Sequence, residues 1–321
     1  MNLLDNDDFK VVFMGTPDFA VPSLDILLKN NINVCAVVTA PDKPAGRGLK
    51  IKTSPVKDYA IKNNIPLLQP VDLNSESFLY KLKSYAPTLI IVVAFKILPK
   101  SVFSIPPKGS INLHASLLPQ YRGAAPINWA IINGEKYTGL TTFALNDKID
   151  TGKILMTKKI EIFENETTGE LYDRMKIIGA ELLLNTVIAL QKNDISPIDQ
   201  NHLFPEEILK KAPKISRNIC QINWNNDCKT IYNLIRGLSP HPAAFTELKL
   251  DNGKNIYIKI LKADYEISDD KYIPGTVYTD NKSYLGIGTK DGIIFLKEII
   301  PECKNVMYID AFLRGNKLYD R

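Results

Sequence analysis

The chain has 321 residues, of which 45% are hydrophobic and 23% charged, so it can build the core of one large or two ordinary domains and is not a disordered chain. Its net charge of +5 favours polyanionic partners without identifying one. The four cysteines have no metal-type spacing, so we expect reduced thiols and no bound metal. The N-terminus is acidic and no apolar run is long enough for a membrane span, so we expect a cytoplasmic protein without a membrane partner.

The first part of the chain alternates strands and helices. The apolar run Val11–Met14 predicts a buried strand, a helix carrying several leucines follows, and Val34–Val38 predicts a second strand. This β-α-β order implies a parallel sheet. A nucleotide-binding dehydrogenase shares the order, but its three-glycine fingerprint is reduced here to the single Gly15, which argues strongly against that class.

The segment 39–57 is basic and rich in proline and glycine. Asp42 is its only acidic residue, against the bases Lys43, Arg47, Lys50, Lys52 and Lys57. Prolines and glycines make helix or strand unfavourable, so we expect an exposed loop. Taken alone, such a charge run is typical of a solvated surface.

The next elements continue the alternating pattern. Leu89–Ala94 is the most hydrophobic run of the chain and predicts a central parallel strand. Shorter signals predict strands at Ile65–Gln69, Gly139–Leu145 and Lys153–Ile162, and helices at Ser77–Tyr85, Ile127–Ile132 and from Thr168 onward.

One strand signal carries polar residues. Ile111 and Leu113 alternate with Asn112 and His114, so an extended chain places Asn112 and His114 on one face. An amide donor and an imidazole that aim at one point are suited to polarising a carbonyl oxygen. By itself, Asn-x-His is more often a polar strand end with a satisfied histidine.

The C-terminal part has a different pattern. Three prolines punctuate residues 193–217, which also carry Lys210, Lys211, Lys214 and Arg217. The following chain alternates apolar and polar residues between glycine turns, which predicts an antiparallel β domain with one helix near Cys228–Gly237. We therefore predict a first domain at 1–195, a linker at 196–217 and a second domain at 218–321.

The complete string from Asn112 to Ile127, Asn-Leu-His-Ala-Ser-Leu-Leu-Pro-Gln-Tyr-Arg-Gly-Ala-Ala-Pro-Ile, resembles the signature of the folate-dependent formyltransferases. Further matches to that family lie in order along the chain, at Phe13–Ala20, Pro41–Gly48, Ser54–Val56, Asp150–Gly152 and Leu234–Leu238. Several long motifs in the right order are far more specific than any one of them.

The resemblance implies an α/β fold: a Rossmann-like formyltransferase domain with a mostly parallel sheet, followed by an OB-like antiparallel β-barrel domain that binds tRNA. It implies an enzyme that moves the formyl group of 10-formyltetrahydrofolate to the α-amine of methionine on initiator tRNA, without a metal. Asp150 joins Asn112 and His114 as the third catalytic residue. We expect a monomer.

The resemblance also assigns binding residues. The folate would lie against Ser116, Leu117, Leu118, Pro119, Ala94 and Phe95. The tRNA would contact Lys43, Arg47, Lys50, Lys210, Lys211, Lys214 and Arg217. The sequence departs from the family at Phe95-Lys96-Ile97, which lacks a usual glycine and is one residue shorter, and at Lys148, which stands where glycine is usual.

Three alternatives use parts of the same pattern. A sugar-nucleotide N-formyltransferase would share Asn112, His114 and Asp150, but residues 213–238 and the 39–57 segment match the tRNA enzymes better. A formyltetrahydrofolate hydrolase would release formate without an acceptor. A non-enzymatic RNA-binding protein would explain the basic second domain but leave the three polar residues without a role.

Overall fold

The computed structural model describes residues 9–45, 50–203, 208–269 and 272–318. These residues form two compact units. The first unit comprises residues up to 123, 139–160 and 172–211, and the second comprises 124–138, 161–171 and the chain from 212 onward. Within the described ranges, none of the helices is long and apolar enough to cross a membrane.

Strands and helices alternate along the first half of the chain, and strands predominate after residue 240. The strands are β1 (Lys10–Gly15), β2 (Asn33–Val38), β3 (Lys43–Ala45), β4 (Lys50–Lys52), β5 (Leu67–Leu68), β6 (Leu89–Val93), β7 (Ser110–His114), β8 (Arg122–Gly123), β9 (Tyr137–Ala144), β10 (Ile154–Glu161), β11 (Lys211–Ala212), β12 (Ala244–Lys249), β13 (Asn255–Ile267), β14 (Val277–Thr279), β15 (Leu285–Gly288), β16 (Gly292–Pro301) and β17 (Met307–Tyr308). The α-helices are α1 (Val21–Lys29), α2 (Pro55–Lys62), α3 (Glu76–Ser84), α4 (Lys100–Phe103), α5 (Pro126–Ile132), α6 (Thr168–Lys192), α7 (Arg217–Cys220), α8 (Cys228–Leu238) and α9 (Ile309–Gly315). Short 3-10 helices lie at Asp18–Ala20 and Gln200–His202.

A seven-stranded sheet forms the centre of the first unit, in the order β10-β9-β7-β6-β1-β2-β5. The strands β5, β2, β1, β6 and β7 run parallel, and β9 is antiparallel to β7. The mostly parallel sheet is thus confirmed. The apolar run that forms β6 is central, as its composition predicted, and all five of its residues are buried.

The basic segment 39–57 was wrongly predicted to lack regular structure. Strands β3 and β4 pair in antiparallel register within it, and α2 begins at Pro55 with the Ser54 hydroxyl as its N-cap. Proline is tolerated in β3 because a two-stranded hairpin consists of edge strands. The base of the hairpin is tied by an ion pair between Lys57 and Asp42.

The second unit contains an antiparallel sheet in the order β12-β13-β16-β15-β14, with β17 paired to β16. The sheet curls as a half-barrel, and its core includes the buried face of α8, with Ile231, Ile235 and Leu238. The expectation of a single helix was wrong, because α9 buries Phe312 and Leu313 in the same core.

Two earlier segments of the chain belong to the second unit. Helix α5 packs against α8, where a Cβ on Gly237 would lie 2.6 Å from Ile132 Cγ1, so only glycine permits this approach. The predicted domains 1–195 and 218–321 are continuous along the chain, whereas the compact units are discontinuous.

Candidate active site

Strand β7 carries the two polar residues singled out by the sequence. It lies between β6 and β9, with Asn112 in register with Val92 on one side and Phe143 on the other. His114 is the last residue of the strand and is 7% exposed. Alternation places Asn112 and His114 on the same face at the carboxyl end of the parallel sheet. This is the edge at which open α/β sheets place their ligands.

The His114 ring lies between two oxygen acceptors. Its Nε2 is 3.0 Å from the carbonyl oxygen of Tyr121. A carbonyl only accepts, so Nε2 carries the hydrogen of this bond. Its Nδ1 is 3.8 Å from Asp150 Oδ2, which is too long for a hydrogen bond but short enough for an ion pair when the ring is protonated. The ring is therefore fixed at one nitrogen and faces a carboxylate at the other.

Asp150 lies in the loop between β9 and β10 and has a left-handed backbone, with φ of 52°. Its Oδ2 accepts a hydrogen bond of 3.0 Å from the Gly123 backbone N–H. Gly123 has φ of 129°, a conformation that residues with a Cβ rarely adopt. The glycine of the signature's Arg-Gly pair thus holds the carboxylate that faces His114.

The Asn112 side chain is half-buried. Within the part of the chain that the structure describes, its amide has no hydrogen-bond partner. A half-buried amide without a partner keeps its donors available for a ligand. The structure therefore brings Asn112, His114 and Asp150 to one end of the sheet, with one donor group uncommitted.

The turn after β7, predicted to contact folate, is largely held by the protein itself. The Leu118 N–H donates to Thr141 Oγ1, and that hydroxyl donates to the Ser116 carbonyl. The Ser116 hydroxyl donates to the Gln120 carbonyl. Leu118 and Pro119 are buried and Leu117 is half-buried. These polar groups fix the shape of the turn.

The other predicted folate residues end the central strand. Ala94 is exposed and left-handed, with φ of 48°. Phe95 packs against the core on one side of the sheet, near Leu98. The neighbouring Lys96 extends from this loop and donates to the Val71 carbonyl at 3.4 Å. The departure from the family pattern thus places a lysine beside the predicted folate site.

The loop that carries Asp150 accommodates the second departure without strain. Lys148 is exposed and its backbone N–H donates to Asn146 Oδ1. The Thr151 hydroxyl donates to the same Asn146 oxygen. Lys148 is not among the left-handed residues, so its position does not require glycine.

The single glycine of the first turn has a packing role. A Cβ on Gly15 would lie 2.7 Å from the Ala20 Cβ and 3.0 Å from the Val93 carbonyl oxygen. Beyond it, Asp18 accepts a hydrogen bond of 2.7 Å from Tyr172, whose pKa is raised chiefly by burial. The turn is therefore closed by protein contacts.

The predicted tRNA-binding residues occupy both units. In the first unit, Lys43 is exposed in the hairpin, Lys50 lies in β4, and Arg47 lies outside the described residues. Lys210 and Lys211 are exposed in the same unit, and the Lys210 carbonyl accepts from the Tyr121 N–H at 2.7 Å.

The remaining two bases belong to the second unit. Lys214 and Arg217 are both exposed there, and the Arg217 guanidinium lies 5.7 Å from the centre of the Phe245 ring. The structure thus brings Lys210 and Lys211 to the signature loop and places Lys214 and Arg217 in the other unit.

Sequence reasoning missed two residues that support the site. Thr141 links both ends of the turn after β7. Gln200 is 1% exposed and bonds the backbone of the Asp150 loop. Thr141 lies in a strand that the sequence predicted, but a lone glutamine in a proline-rich segment carries no comparable signal.

Two family models match the chain. The model described as formyl transferase matches residues 9–187, and the model described as formyl transferase, C-terminal domain, matches residues 214–317. The first range ends before the predicted linker 196–217, and the second begins at residue 214, within it. The chain therefore belongs to the formyl transferase family and is an enzyme of formyl transfer.

Curated relatives narrow the class. The methionyl-tRNA formyltransferase of Bacteroides thetaiotaomicron is 45% identical over 315 residues, which cover 98% of each chain. That of Flavobacterium johnsoniae is 45% identical over 310 residues, which cover 96% of each. Within the family, the chain thus falls among the methionyl-tRNA formyltransferases.

Solved structures share the fold at lower identity. An N-formyltransferase from Helicobacter canadensis, in complex with folinic acid and dTDP-3-aminofucose, is 22% identical with a TM-score of 0.65, covering 90% of this chain and 98% of that one. HypX from Aquifex aeolicus, in complex with tetrahydrofolic acid, is 18% identical with a TM-score of 0.64. That match covers 97% of this chain but only 48% of HypX.

Proposed function

We propose that this enzyme transfers the formyl group of 10-formyltetrahydrofolate to the α-amine of methionine on initiator tRNA. The observation that carries the proposal is a buried imidazole facing a carboxylate, on the same strand face as an amide that has no partner among the described residues. The names of the curated relatives support methionyl-tRNA as the formyl acceptor. Use of charged tRNA implies that the reaction occurs in the cytoplasm.

The reaction is acyl transfer between two nitrogens. The amine nitrogen attacks the formyl carbon, and the carbonyl electron pair moves onto oxygen. Collapse of this tetrahedral oxyanion breaks the bond from the formyl carbon to N10 of the folate, and N10 leaves with a proton. The amine loses one proton, so the exchange balances without an oxidant or a reductant.

Asn112 is proposed as a donor to the oxyanion. Its amide is uncommitted within the described structure and lies on a rigid strand between two others. A donor held in advance stabilises developing charge without reorganising, and its loss typically costs about 10²–10³ in rate.

His114 is proposed as the charged second donor. Its Nε2 is committed to the Tyr121 carbonyl, so Nδ1 is the nitrogen that can face the reacting oxygen. A protonated ring gives the stronger, charge-assisted kind of hydrogen bond. Asp150 Oδ2, 3.8 Å from Nδ1, would form an ion pair with that protonated ring.

Asp150 is also proposed to take the proton from the attacking amine, directly or through water. Its Oδ2 is occupied by the Gly123 N–H and faces His114. A carboxylate has further lone pairs for a second partner. The proposed catalytic residues are thus Asn112, His114 and Asp150.

The folate is proposed to lie against the turn after β7 and the end of β6. Its contacts would be Ser116, Leu117, Leu118, Pro119, Ala94 and Phe95. Because the turn's hydroxyl and several backbone groups already bond the protein, we expect apolar contacts from Leu117 and Phe95 to dominate. No step of this mechanism uses a metal ion.

The tRNA is proposed to contact the basic residues of both units. They are Lys43, Arg47, Lys50, Lys210, Lys211, Lys214 and Arg217. We propose 1–195 as the catalytic domain, 196–217 as the linker and 218–321 as the tRNA-binding domain. The hydrogen bond from the Tyr121 N–H to the Lys210 carbonyl supports a tRNA contact by the linker, since it places linker bases beside the loop that holds His114.

One assay separates the proposed function from its alternatives. Formyl-labelled folate is incubated with the full chain, with and without methionine-charged initiator tRNA, and the label is followed. We expect label on the methionine amine only when charged tRNA is present. Label released as formate in both arms would indicate a hydrolase. Transfer to an amino sugar nucleotide alone would indicate a sugar enzyme, and no turnover of the folate would favour an RNA-binding protein.

A second measurement tests the linker bases. The change Lys210→Met with Lys211→Met and Lys214→Met should reduce the slope of log affinity against log salt for tRNA by about 2, since each phosphate contact contributes about 0.7–0.9. The control triple replaces Lys29, Lys62 and Lys83, which lie in the last turns of α1, α2 and α3. If both triple variants show the same salt slope, the linker lysines do not contact the tRNA phosphates.

A further inference from the structure

Gln200 is a buried polar residue that takes no part in the bond and proton exchanges of the proposed formyl transfer. It is 1% exposed and lies in the short 3-10 helix 200–202, about fifty residues after Asp150. Its Nε2 donates to the Asp150 carbonyl at 3.1 Å and to the Gly152 carbonyl at 2.6 Å. One amide group thus joins both ends of the Asp150 turn.

The other end of the same amide is also fixed. Gln200 Oε1 accepts two hydrogen bonds from Arg122, at 3.2 Å from Nε and 2.7 Å from Nη2. Guanidinium only donates and backbone carbonyls only accept, so the amide has a single orientation that satisfies all four bonds. Its NH₂ group therefore faces the Asp150 loop.

Arg122 is adjacent to Gly123, whose N–H holds Asp150 Oδ2. Gln200 therefore links the backbone of residues 150–152 to the Arg122 side chain, next to the glycine whose N–H holds this carboxylate. The loop needs such support. Asp150 has an unfavourable left-handed backbone, and a Cβ on Gly152 would lie 1.6 Å from the Ala144 carbonyl oxygen.

We propose that Gln200 is a positioning residue for formyl transfer, which holds Asp150 Oδ2 against His114 through the carbonyls of Asp150 and Gly152. Arg122 orients the Gln200 amide for this task. The role rests on the proposed function of Asp150 and His114. Gln200 itself does not touch the substrate.

The test uses the full chain with the isosteric change Gln200→Glu. The new carboxylate still accepts from Arg122, but it presents an acceptor oxygen to the two carbonyls and cannot donate to either. We expect kcat to fall at least tenfold while KM for folate and for charged tRNA stays within about twofold. The matched control is Gln191→Glu, the same chemical change at a half-buried residue near the end of α6, which should leave both constants unchanged.

Combination with Asp150→Asn separates positioning from general structural damage. If Gln200 acts through Asp150, Gln200→Glu should lower kcat less than threefold further when Asp150 is already Asn. A full additional tenfold loss would overturn the proposal, as would a folded Gln200→Glu enzyme with unchanged kcat or with a changed KM alone. If Gln200→Glu does not fold, Arg122→Met provides the same comparison, with a smaller expected loss that is again absent beside Asp150→Asn.

A spectroscopic readout makes the outcome independent of the substrate. The chain has three histidines, so ¹⁵N-labelled ring signals can be assigned with His114→Ala. Gln200→Glu should shift the His114 signals in the same direction as Asp150→Asn, and Gln191→Glu should not. Unmoved His114 signals would overturn the positioning role even if formyl transfer were confirmed. A shift without formyl transfer in the unchanged chain would instead overturn the proposed function alone.

Discussion

Two stretches of the chain carry equally clear family motifs but use their polar groups in opposite ways. In the segment 112–123, the Asn112 amide has no partner in the described structure, and His114 Nδ1 stops 3.8 Å short of Asp150 Oδ2. In the segment 234–238, the polar side chain is Arg236, and its bonds are made within the protein.

Arg236 is 8% exposed within the second unit. Its Nε donates to Asn233 Oδ1 at 2.9 Å, and Nη1 donates to the Glu166 carbonyl at 3.2 Å and the Phe163 carbonyl at 3.5 Å. Burial lowers the pKa of Arg236. This arginine fastens the segment 161–171 to α8, although the sequence alone would allow a role in binding phosphate.

The two segments differ in whether their polar groups have hydrogen-bond partners within the protein. A buried polar group whose partners are all internal supports the fold, because leaving it unpaired would cost stability. A group held on one side and open on the other is available to a ligand.

The largest effect is expected in the segment 112–123 and its partner Asp150, where polar groups remain available to a ligand. His114→Ala and Asp150→Asn should each lower kcat by about 10²-fold or more, the scale of a single acid–base or oxyanion contact. Because the two side chains act as one unit, the double change should cost little more than either single change. Steady-state rates of formyl transfer give the comparison. Circular dichroism and thermal melting should show unaltered folds, and fully multiplicative losses would contradict a shared role.

The parts of this arrangement differ in how far the sequence reveals them. Apolar runs predicted β1, β2 and β6, and alternation placed Asn112 beside His114, because both signals are local. The hairpin at 43–52 was missed because proline and glycine disfavour strands unless the strands lie at an edge.

Other features depend on contacts between distant residues. The pairing of Gln200 with Asp150 spans about fifty residues, and the packing of α5 against α8 spans about a hundred. The sequence marks α5 as a helix through Pro126 and its apolar residues, but nothing local indicates its partner. Gly237 is recognisable as part of a motif, yet only the approach of Ile132 explains why a glycine is needed there.

Arg236, whose hydrogen bonds are made within the protein, should contribute to the stability of the fold. Arg236→Met should lower the free energy of unfolding by about 2–3 kcal/mol, since it leaves buried acceptors unpaired that each cost about 1–3 kcal/mol. Denaturant titration measures this. The matched control is Arg314→Met, which removes an exposed pair with Asp310 and should cost no more than about 0.5 kcal/mol. A similar loss in both variants would mean that the internal bonds of Arg236 contribute little.

A smaller effect is expected at the start of α8. Asp227 caps this helix by accepting from the Thr230 N–H at 2.8 Å, and this bond is the main cause of its lowered pKa. Asp227→Ala should cost about 1 kcal/mol at pH 7, a typical N-cap value.

The pH dependence of the cap has a definite sign. Because the pKa of Asp227 is lower in the folded chain, its charge stabilises the fold above the ordinary value of 3.8 and ceases to do so as pH falls through the folded value. Asp227→Asn keeps a capping oxygen without the charge. The stability gap between this variant and the unchanged chain should therefore narrow as pH falls below about 4, and a gap that widened would contradict the cap.

The smallest effect concerns backbone strain, where the two units again differ. Ala94, at the end of β6, and Ala243, just before β12, are both left-handed, with φ of 48° and 70°. The left-handed form costs a residue with a Cβ about 1–2 kcal/mol, whereas glycine adds about 0.5–1 kcal/mol of backbone entropy cost. Ala94 is exposed, so Ala94→Gly should raise the free energy of unfolding by about 0.5–1 kcal/mol, the difference between those terms.

Ala243 provides the matched comparison, because it is 1% exposed and its methyl group is buried in the second unit. Ala243→Gly relieves similar strain but loses about 0.8 kcal/mol for the buried methyl group, so its net effect should be close to zero. Chemical denaturation of both variants measures the two values. A gain at Ala94 and none at Ala243 would mean that the end of β6 retains avoidable strain beside the proposed folate site. Equal values would mean that the buried methyl group of Ala243 contributes nothing.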